Sequence, residues 1–327
     1  MAVVVQPWRL PRSTEVCEVH RGRRGRIVLA RLDGQAGGPS NHEAGRAAEL
    51  VAVRYIPAGL LIHRPRAEAF QADIDRLTGL AVPEVVPFRH YEHAPKFAAA
   101  YDRWGGAVGG ALVSDAVEGV PLSHVLERHG ALPAPAALLV FRRTLRALAA
   151  AHDRGLVHGD LRLAKVLVRA DGATTVTGLG LAALTSGAPA LRAPELWRGE
   201  ATASPAGDVY AAACMLHLCL TGEPPFPVTQ LFSLMAQHAT APVPVTAAPR
   251  MLHAPLAAGL AKDPARRPAP EILMTELAWK AKRALGGDWE ERGRSVLRTL
   301  AEPLVTALPR TPSSTVGSRP LEGMPIM

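Results

Sequence analysis

Lysine is scarce in this 327-residue chain: Lys96, Lys165, Lys262, Lys280 and Lys282 are the only five among 37 Lys and Arg residues. Against 29 Asp and Glu the formal net charge is +8. An arginine, alanine, glycine and proline surplus is what a high-GC coding genome produces, so the basic balance is weak evidence for nucleic-acid binding, which needs cations clustered on one face with aromatics interleaved. Three cysteines, Cys17, Cys214 and Cys219, are too few for a disulfide framework, and no CxxC pair is present to hold zinc. Cys214 and Cys219 sit in an apolar helical run and read as buried free thiols. No apolar run reaches the 18 or so residues of a membrane-spanning helix. The N-terminal segment lacks the charged and apolar regions of a signal peptide, and a cytoplasmic location is expected. What the chain has is 48% apolar and 20% charged residues, enough for a real core, in a length that allows two domains or one bilobal fold.

Residues 22–57 alternate apolar and polar positions around a Gly/Pro/Ser/Asn-rich break at 34–45, predicting strands joined by a loop. Residues 66–80 set Phe70, Ile74, Leu77 and Leu80 at helical spacing, and a second strand-rich stretch ends at Gly119. From there the pattern turns helical. Leu138, Phe141, Leu145, Leu148 and His152 mark one face of a long helix stopped by Gly155. Two short strand-like runs follow, joined by Asp171-Gly172, a two-residue hairpin signal. Residues 288–302 predict an amphipathic helix through Trp289, Val296, Leu297 and Leu300 that ends before Pro303 and docks on the preceding domain. After Leu308 a Pro/Ser/Thr/Gly-rich run predicts disorder.

His158-Gly159-Asp160-Leu161-Arg162 lies between the long helix and the two short strands. It resembles the catalytic loop of eukaryotic-like bacterial Ser/Thr protein kinases. Val51-Ala52-Val53-Arg54 resembles the strand that carries the family's nucleotide-binding lysine. Ala193-Pro194-Glu195 resembles the end of the activation segment, and Gly207-Asp208-Val209-Tyr210 the start of the central helix. Residues 220–226 and 260–268 resemble later motifs of the helical lobe. Six motifs in the correct order, over roughly residues 18–282, carry the resemblance. It implies an α+β bilobal fold: a small antiparallel β lobe with one helix over 15–117, and a larger, mainly helical lobe over 118–285. Residues 1–14 are then an N-terminal extension and 286–327 a C-terminal helix and tail. The hinge is expected near Asp115-Ala116-Val117.

The chemistry of such a fold is positioning and charge neutralisation, with two Mg²⁺ ions, a lysine on the phosphates and an aspartate that receives the hydroxyl proton. Asp160 stands at that aspartate, and Arg162 where the family has a catalytic-loop lysine. Five residues after Asp160 the family has a metal-ligating asparagine; this chain has Lys165, whose ammonium has no lone pair for Mg²⁺. The Asp-Phe-Gly triplet is replaced by Gly178-Leu179-Gly180, and Gly178 has no side chain. No metal site is expected. Arg54 replaces the nucleotide lysine, and its partner on the small-lobe helix is expected to be Asp73, with Asp75 or two unpaired surface charges as alternatives.

The glycine-rich loop reads His20 to Ile27, with His20 at its first glycine position and Gly22 and Gly25 retained, either a phosphate cover or an ordinary basic turn. The resemblance also places Ile27, Ala52 and Leu167 around an adenine ring, Ser114 at the rear of the pocket, and Asp115 and Val117 at the hinge. Leu77, His158 and Leu179 match a stack that joins the lobes, Glu195 and Arg267 a buried ion pair, and Asp208 an anchor for the catalytic loop. The segment from Gly180 to Ala193 is short and contains Thr185 and Ser186.

These replacements point to a pseudokinase: a regulatory or scaffolding module that binds an unidentified protein partner, with weak, metal-independent ATP binding and no need of Mg²⁺. The alternative is an active, atypical Ser/Thr kinase working through Arg54, Arg162 and Lys165, with Asp160 as base. A membrane partner is not expected and a nucleic acid is disfavoured. Two states of the cleft stay open. Either its cations form an anion site, or Arg54 and Lys165 pair with Asp73 and Asp160 and fill it.

Overall fold

The computed structural model describes residues 8–22, 24–33, 49–95, 107–199, 203–227 and 230–308. The Gly/Pro-rich break at 34–45 and the tail beyond Leu308, both singled out by composition, lie outside the described residues.

Strands β1 (Ser13–Gly22), β2 (Gly25–Leu32), β3 (Leu50–Pro57), β4 (Phe88–His93) and β5 (Val108–Asp115) form one antiparallel sheet in the order β1-β2-β3-β5-β4, with α1 (Arg64–Leu77) inserted between β3 and β4. Strand parity divides this small lobe into two faces. Val28, Ala30, Val51, Val53 and Tyr55 turn to one side, where Trp8 and Leu10 from upstream of β1 close a core over them. The opposed pairs Ile27↔Arg54, Arg54↔Leu112 and Ala52↔Ser114 turn to the other, toward the second lobe. The small lobe therefore takes in residues 8–14 as packed structure.

After β5 the chain runs through 116–119 to a three-stranded sheet of β6 (Val120–Pro121), β7 (Val166–Val168) and β8 (Thr174–Val176). The remainder of the second lobe is helical: α2 (Leu122–His129), α3 (Ala134–His152), α4 (Pro194–Trp197), α5 (Pro205–Thr221), α6 (Leu231–Thr240), α7 (His253–Gly259), α8 (Pro270–Leu285) and α9 (Trp289–Thr306). Helices α3 and α5 are buried almost all round and form the centre of the large core. A helix apolar on every side has to sit inside. The bilobal α+β architecture implied by the motifs is the one observed.

Three local expectations are corrected. The helix expected over 66–80 spans Arg64–Leu77, because Thr78 is extended and Gly79 has φ of +76°; Leu80 is buried outside it. The Asp171-Gly172 connection is a three-residue loop: Arg169 N–H bonds Ala173 O at 2.9 Å, and Gly172 takes the left-handed conformation at φ +77°. Helix α9 does not end before Pro303 but runs through it to Thr306. Proline there forfeits one hydrogen bond near the end of the helix, a loss offset by burial of the face Trp289, Gly293, Leu297, Ala301 and Val305 against α3. That face recurs every fourth residue, and Val296 and Leu300 lie at its partly buried edge. Among the described residues no helix is long and apolar enough to cross a membrane.

Candidate functional site

The catalytic-loop motif is held from below by α5. Asp208, in the first turn of that helix, accepts hydrogen bonds from the backbone N–H groups of His158 (2.8 Å) and Gly159 (2.9 Å), and lies 3.0 Å from His152 Nε2. His158 is fully buried, its Nε2 3.1 Å from Thr177 O. Burial, ahead of the opposing Asp208 charge, holds its imidazole below the ordinary histidine value. Leu77 and Leu179 are buried in the same core. Farther down, Arg267 makes a bidentate pair with Glu195 (Nη1–Oε1 2.7 Å, Nη2–Oε2 2.8 Å) and also donates to Ala206 O and Ala261 O. Both partners are buried.

Asp160, 5% exposed, faces the cleft between the lobes. The small lobe reaches it. Gly22 and Gly25 are paired in the β1–β2 register, and from the connection between the two strands Arg24 Nη1 meets Asp160 Oδ2 at 2.8 Å. Arg162 Nε lies 3.7 Å from the same oxygen and is itself sealed from solvent without a hydrogen bond. The carboxylate is thus engaged by two guanidinium groups. The Arg24 contact was not legible in the sequence, where an arginine doublet between glycines was the one available sign.

Lys165 ends a 3-10 turn whose backbone is fixed by Lys165 N–H to Arg162 O and Thr177 N–H to Lys165 O, both 2.8 Å. Its side chain lies across Gly178: a Cβ built on that glycine would sit 3.1 Å from Nζ and 3.3 Å from Cδ. The two positions that carry metal ligands in the family are therefore adjacent, and the lysine stem occupies the space beside the missing carboxylate. Nζ has no hydrogen bond or ion pair among the described residues, and Asp160 is not its partner. Burial pushes the ammonium down to about 7, helped by the nearby charges of Arg54, Arg162 and Arg24 and opposed only by Asp160. At both metal positions the donor set holds no oxygen, so it does not fit Mg²⁺. Among the described residues no group of three or more His, Cys, Asp or Glu side chains is gathered as a metal set.

The expected Arg54–Asp73 pair is absent. Asp73 bonds Arg76 within α1 at 3.3 Å, and Asp75 accepts from Gln71 at 3.0 Å. The space between β3 and α1 is filled from the large lobe instead: Leu181 and Leu184, around the 3-10 turn Ala182–Leu184, pack with Ile56, Phe70, Ile74 and Leu112. A hydrophobic wedge there leaves Arg54 without a hydrogen bond or ion pair among the described residues, and burial lowers its guanidinium to about 10. His20, on the exposed end of β1, is lowered by desolvation and then by the charges of Arg54, Lys165 and Arg162.

The remaining predicted residues line the cleft or its edge. Ile27 and Ala52 lie on the cleft-facing side of the sheet and are half-buried. Leu167 lies between buried Val166 and Val168 and turns away from the large core. Ser114 is half-buried opposite Ala52. Asp115 closes β5, and its carboxylate is taken by Arg89 Nε at 2.5 Å. The Val117 N–H, in the connection to β6, makes no hydrogen bond among the described residues. Thr185 Oγ1 donates to Gly159 O at 3.3 Å, tying the short segment after Gly180 to the catalytic loop. Chemically the cleft side of the lobes carries the half-buried side chains of Ile27, Ala52 and Leu167 and four cations, Arg24, Arg54, Arg162 and Lys165, with one carboxylate, Asp160. The arrangement suits a flat ligand that carries negative charge.

Comparison with known proteins bears on this site. The protein kinase domain profile matches residues 70–276, more than half of the chain. Serine/threonine-protein kinase PknH of Mycobacterium tuberculosis is 30% identical over 254 residues, covering 72% of this chain and 38% of PknH. Serine/threonine-protein kinase PknD of the same species is 27% identical over 321 residues, covering 90% of this chain and 46% of PknD. The chain thus spans less than half the length of these curated relatives. Among solved structures, Rad53 residues 1–466 in complex with AMP-PNP aligns with a TM-score of 0.64 at 19% identity, over 81% of this chain and 64% of that one.

Proposed function

The chain belongs to the protein kinase family, and on that premise we propose that it is a pseudokinase: a kinase-fold regulatory or scaffolding module that acts by binding a protein partner. The observation that carries the reading is the joint replacement of both metal positions, where the Lys165 side chain lies against Gly178. Without oxygen donors there, phosphates in the cleft would be met by Arg24, Arg54, Arg162 and Lys165, and no phosphoryl-transfer step is assigned. The engagement of Asp160 by Arg24 and Arg162 supports the same conclusion, since the two guanidinium groups crowd the carboxylate that a substrate hydroxyl would have to reach. A cytoplasmic location is part of this proposal.

ATP is the proposed ligand of the cleft, bound weakly and without Mg²⁺. Ile27, Ala52 and Leu167 would take the flat base, and the cations its phosphates. Thermal-shift titration of the full chain with ATP tests this, because a ligand confined to the native state raises the melting temperature by mass action. The expected shift persists in EDTA and falls in Lys165→Asn. A shift that requires Mg²⁺ would show that a metal site has been overlooked.

The second reading, an active Ser/Thr protein kinase, is favoured by the retained Asp160 and by relatives that are themselves serine/threonine-protein kinases. Mg²⁺-dependent phosphate incorporation near the roughly 1–100 s⁻¹ typical of kinases, lost in Asp160→Asn, would establish it. The pseudokinase reading expects none.

A further inference from the structure

Away from the cleft, the large lobe leaves a second charge unanswered. No acidic residue occurs between Glu223 and Asp263, a stretch that supplies α6, the connection after it and α7. Of its two cations, Arg250 is exposed and Lys262 half-buried. Lys262 is held from two sides: its Nζ donates to Gln237 O at 3.3 Å and lies 4.3 Å from the centre of the Phe226 ring. Neither partner is charged. Phe226 is itself fixed, its ring 4.9 Å from that of fully buried His238 in an edge-on contact. No carboxylate is among the groups that act on the ammonium, and the one arginine that does, Arg267, is committed to Glu195. Burial lowers Lys262 to about 8, so at pH 7 it still carries its charge. A positioned cation, half out of water and without a counter-charge, is a group that an anion would stabilise.

Lys262 lines an open groove of about 660 Å³ between the end of α6, α7 and the 3-10 turn Pro264–Arg266. That size is within the roughly 300–1,000 Å³ of small-molecule sites. Seven of its eleven lining residues are Ala, Pro, Val or Leu, among them Val243, Ala258 and Leu260. The charged ones, Lys262, Asp263 and Arg266, all come from the segment 262–266, so charge is confined to one side of an otherwise apolar wall. Asp263 Oδ1 accepts the Ala265 N–H at 2.9 Å and caps the turn. The Arg266 side chain is exposed and makes no hydrogen bond or ion pair among the described residues. Two cations thus face one carboxylate that the backbone already engages.

We propose that this groove binds amphiphilic carboxylates of the medium-chain fatty-acid class, with the apolar chain along the Ala/Pro/Val/Leu wall and the carboxylate on Lys262 and Arg266. The planar guanidinium takes both oxygens of a carboxylate, and the ammonium needs only one. A bare phosphate or sulfate would leave the apolar wall unused. An alcohol of the same chain would leave the cations unanswered, and an amine would oppose them. No lining residue belongs to the cleft between the lobes, so the site is independent of the nucleotide reading.

Calorimetric titration of the full chain at neutral pH with decanoate, decanol and decylamine, each below its micelle-forming concentration, tests this. One saturable site is expected, with decanoate tighter than decanol by about tenfold or more, as one or two charge-assisted hydrogen bonds predict, and with no binding of decylamine. Hexanoate should bind about tenfold or more weakly than decanoate, because fewer methylenes leave water. Arg266→Ala, and Lys262→Met with its unbranched stem retained over Phe226, should each shrink the preference for decanoate over decanol. Ala258→Trp should block both ligands, and saturating ATP should change nothing. Decanol binding as tightly as decanoate, a preference that survives both cation variants, many weak sites per chain, or competition by ATP would overturn the proposal. If Ala258→Trp does not fold, Arg266→Ala decides alone, since an exposed side chain without partners can be removed with the fold intact.

Discussion

The buried Lys165 ammonium should be readable as a slope of stability against pH. Burial and the neighbouring arginines lower its folded pKa from 10.5 to about 7. Between these values the unfolded chain binds the proton that the native state has released, so stability rises with pH. At pH 7 the lysine is charged in the unfolded chain and half-charged in the fold, which at 1.36 kcal/mol per pKa unit costs roughly 4 kcal/mol. At pH 9.5 the unfolded lysine is still mostly charged and the native one neutral, and the cost falls to about 1.5 kcal/mol by the same conversion. Lys165→Met keeps an unbranched apolar stem and removes the titration. The stability of the wild-type protein minus that of the variant, from urea unfolding followed by tryptophan fluorescence, should therefore rise by about 3 kcal/mol between pH 7 and pH 9.5. Lys262 titrates near the same range, but it is present in both proteins and cancels. A difference independent of pH would mean that the native ammonium finds enough solvent or counter-charge to keep its ordinary affinity for the proton.

Two other substitutions probe the scaffold. Arg267→Ala leaves Glu195 charged and buried without its bidentate partner, and should cost about 3–5 kcal/mol of unfolding free energy. An unchanged denaturation midpoint would contradict a structural role for that pair. Gly293 is where α9 meets the start of α3 so closely that a Cβ would lie 2.5 Å from Pro135 O. Gly293→Leu should displace the helix and destabilise the fold by about 1–3 kcal/mol, as overpacking does, and a midpoint equal to wild type would show that α9 docks loosely.

Much of the fold was legible because the family motifs are short, ordered and tied to specific turns. The strand that carries Arg54, the loop around Asp160 and the helix whose first turn holds Asp208 all follow from local sequence. The buried face of α9 was not, because two of its five members are Gly293 and Ala301. Small residues register weakly in an apolar pattern, yet they let two helices approach closely. The Arg54–Asp73 expectation failed for a different reason. Two residues on separate elements pair only if nothing intervenes, and the wedge of Leu181 and Leu184 comes from about a hundred residues downstream. The reach of Arg24 to Asp160 is likewise a matter of lobe closure, on which neighbouring residues in the chain carry no information.

Under the proposed anion-binding reading, that last contact governs entry to the cleft. Arg24 is the outer, 37% exposed partner of a pair whose inner partner is 5% exposed, and the two belong to different lobes. Spontaneous opening separates opposite charges, the outer one within reach of salt screening, whose length is about 8 Å at physiological ionic strength. An entering anion offers Arg24 a replacement partner before Asp160 is released. Exchange by displacement of this kind has an observed rate that grows with the concentration of the incoming anion, whereas waiting for the lobes to part sets a ceiling independent of it. The latch thus makes the traffic through the cleft a matter of competition for one guanidinium.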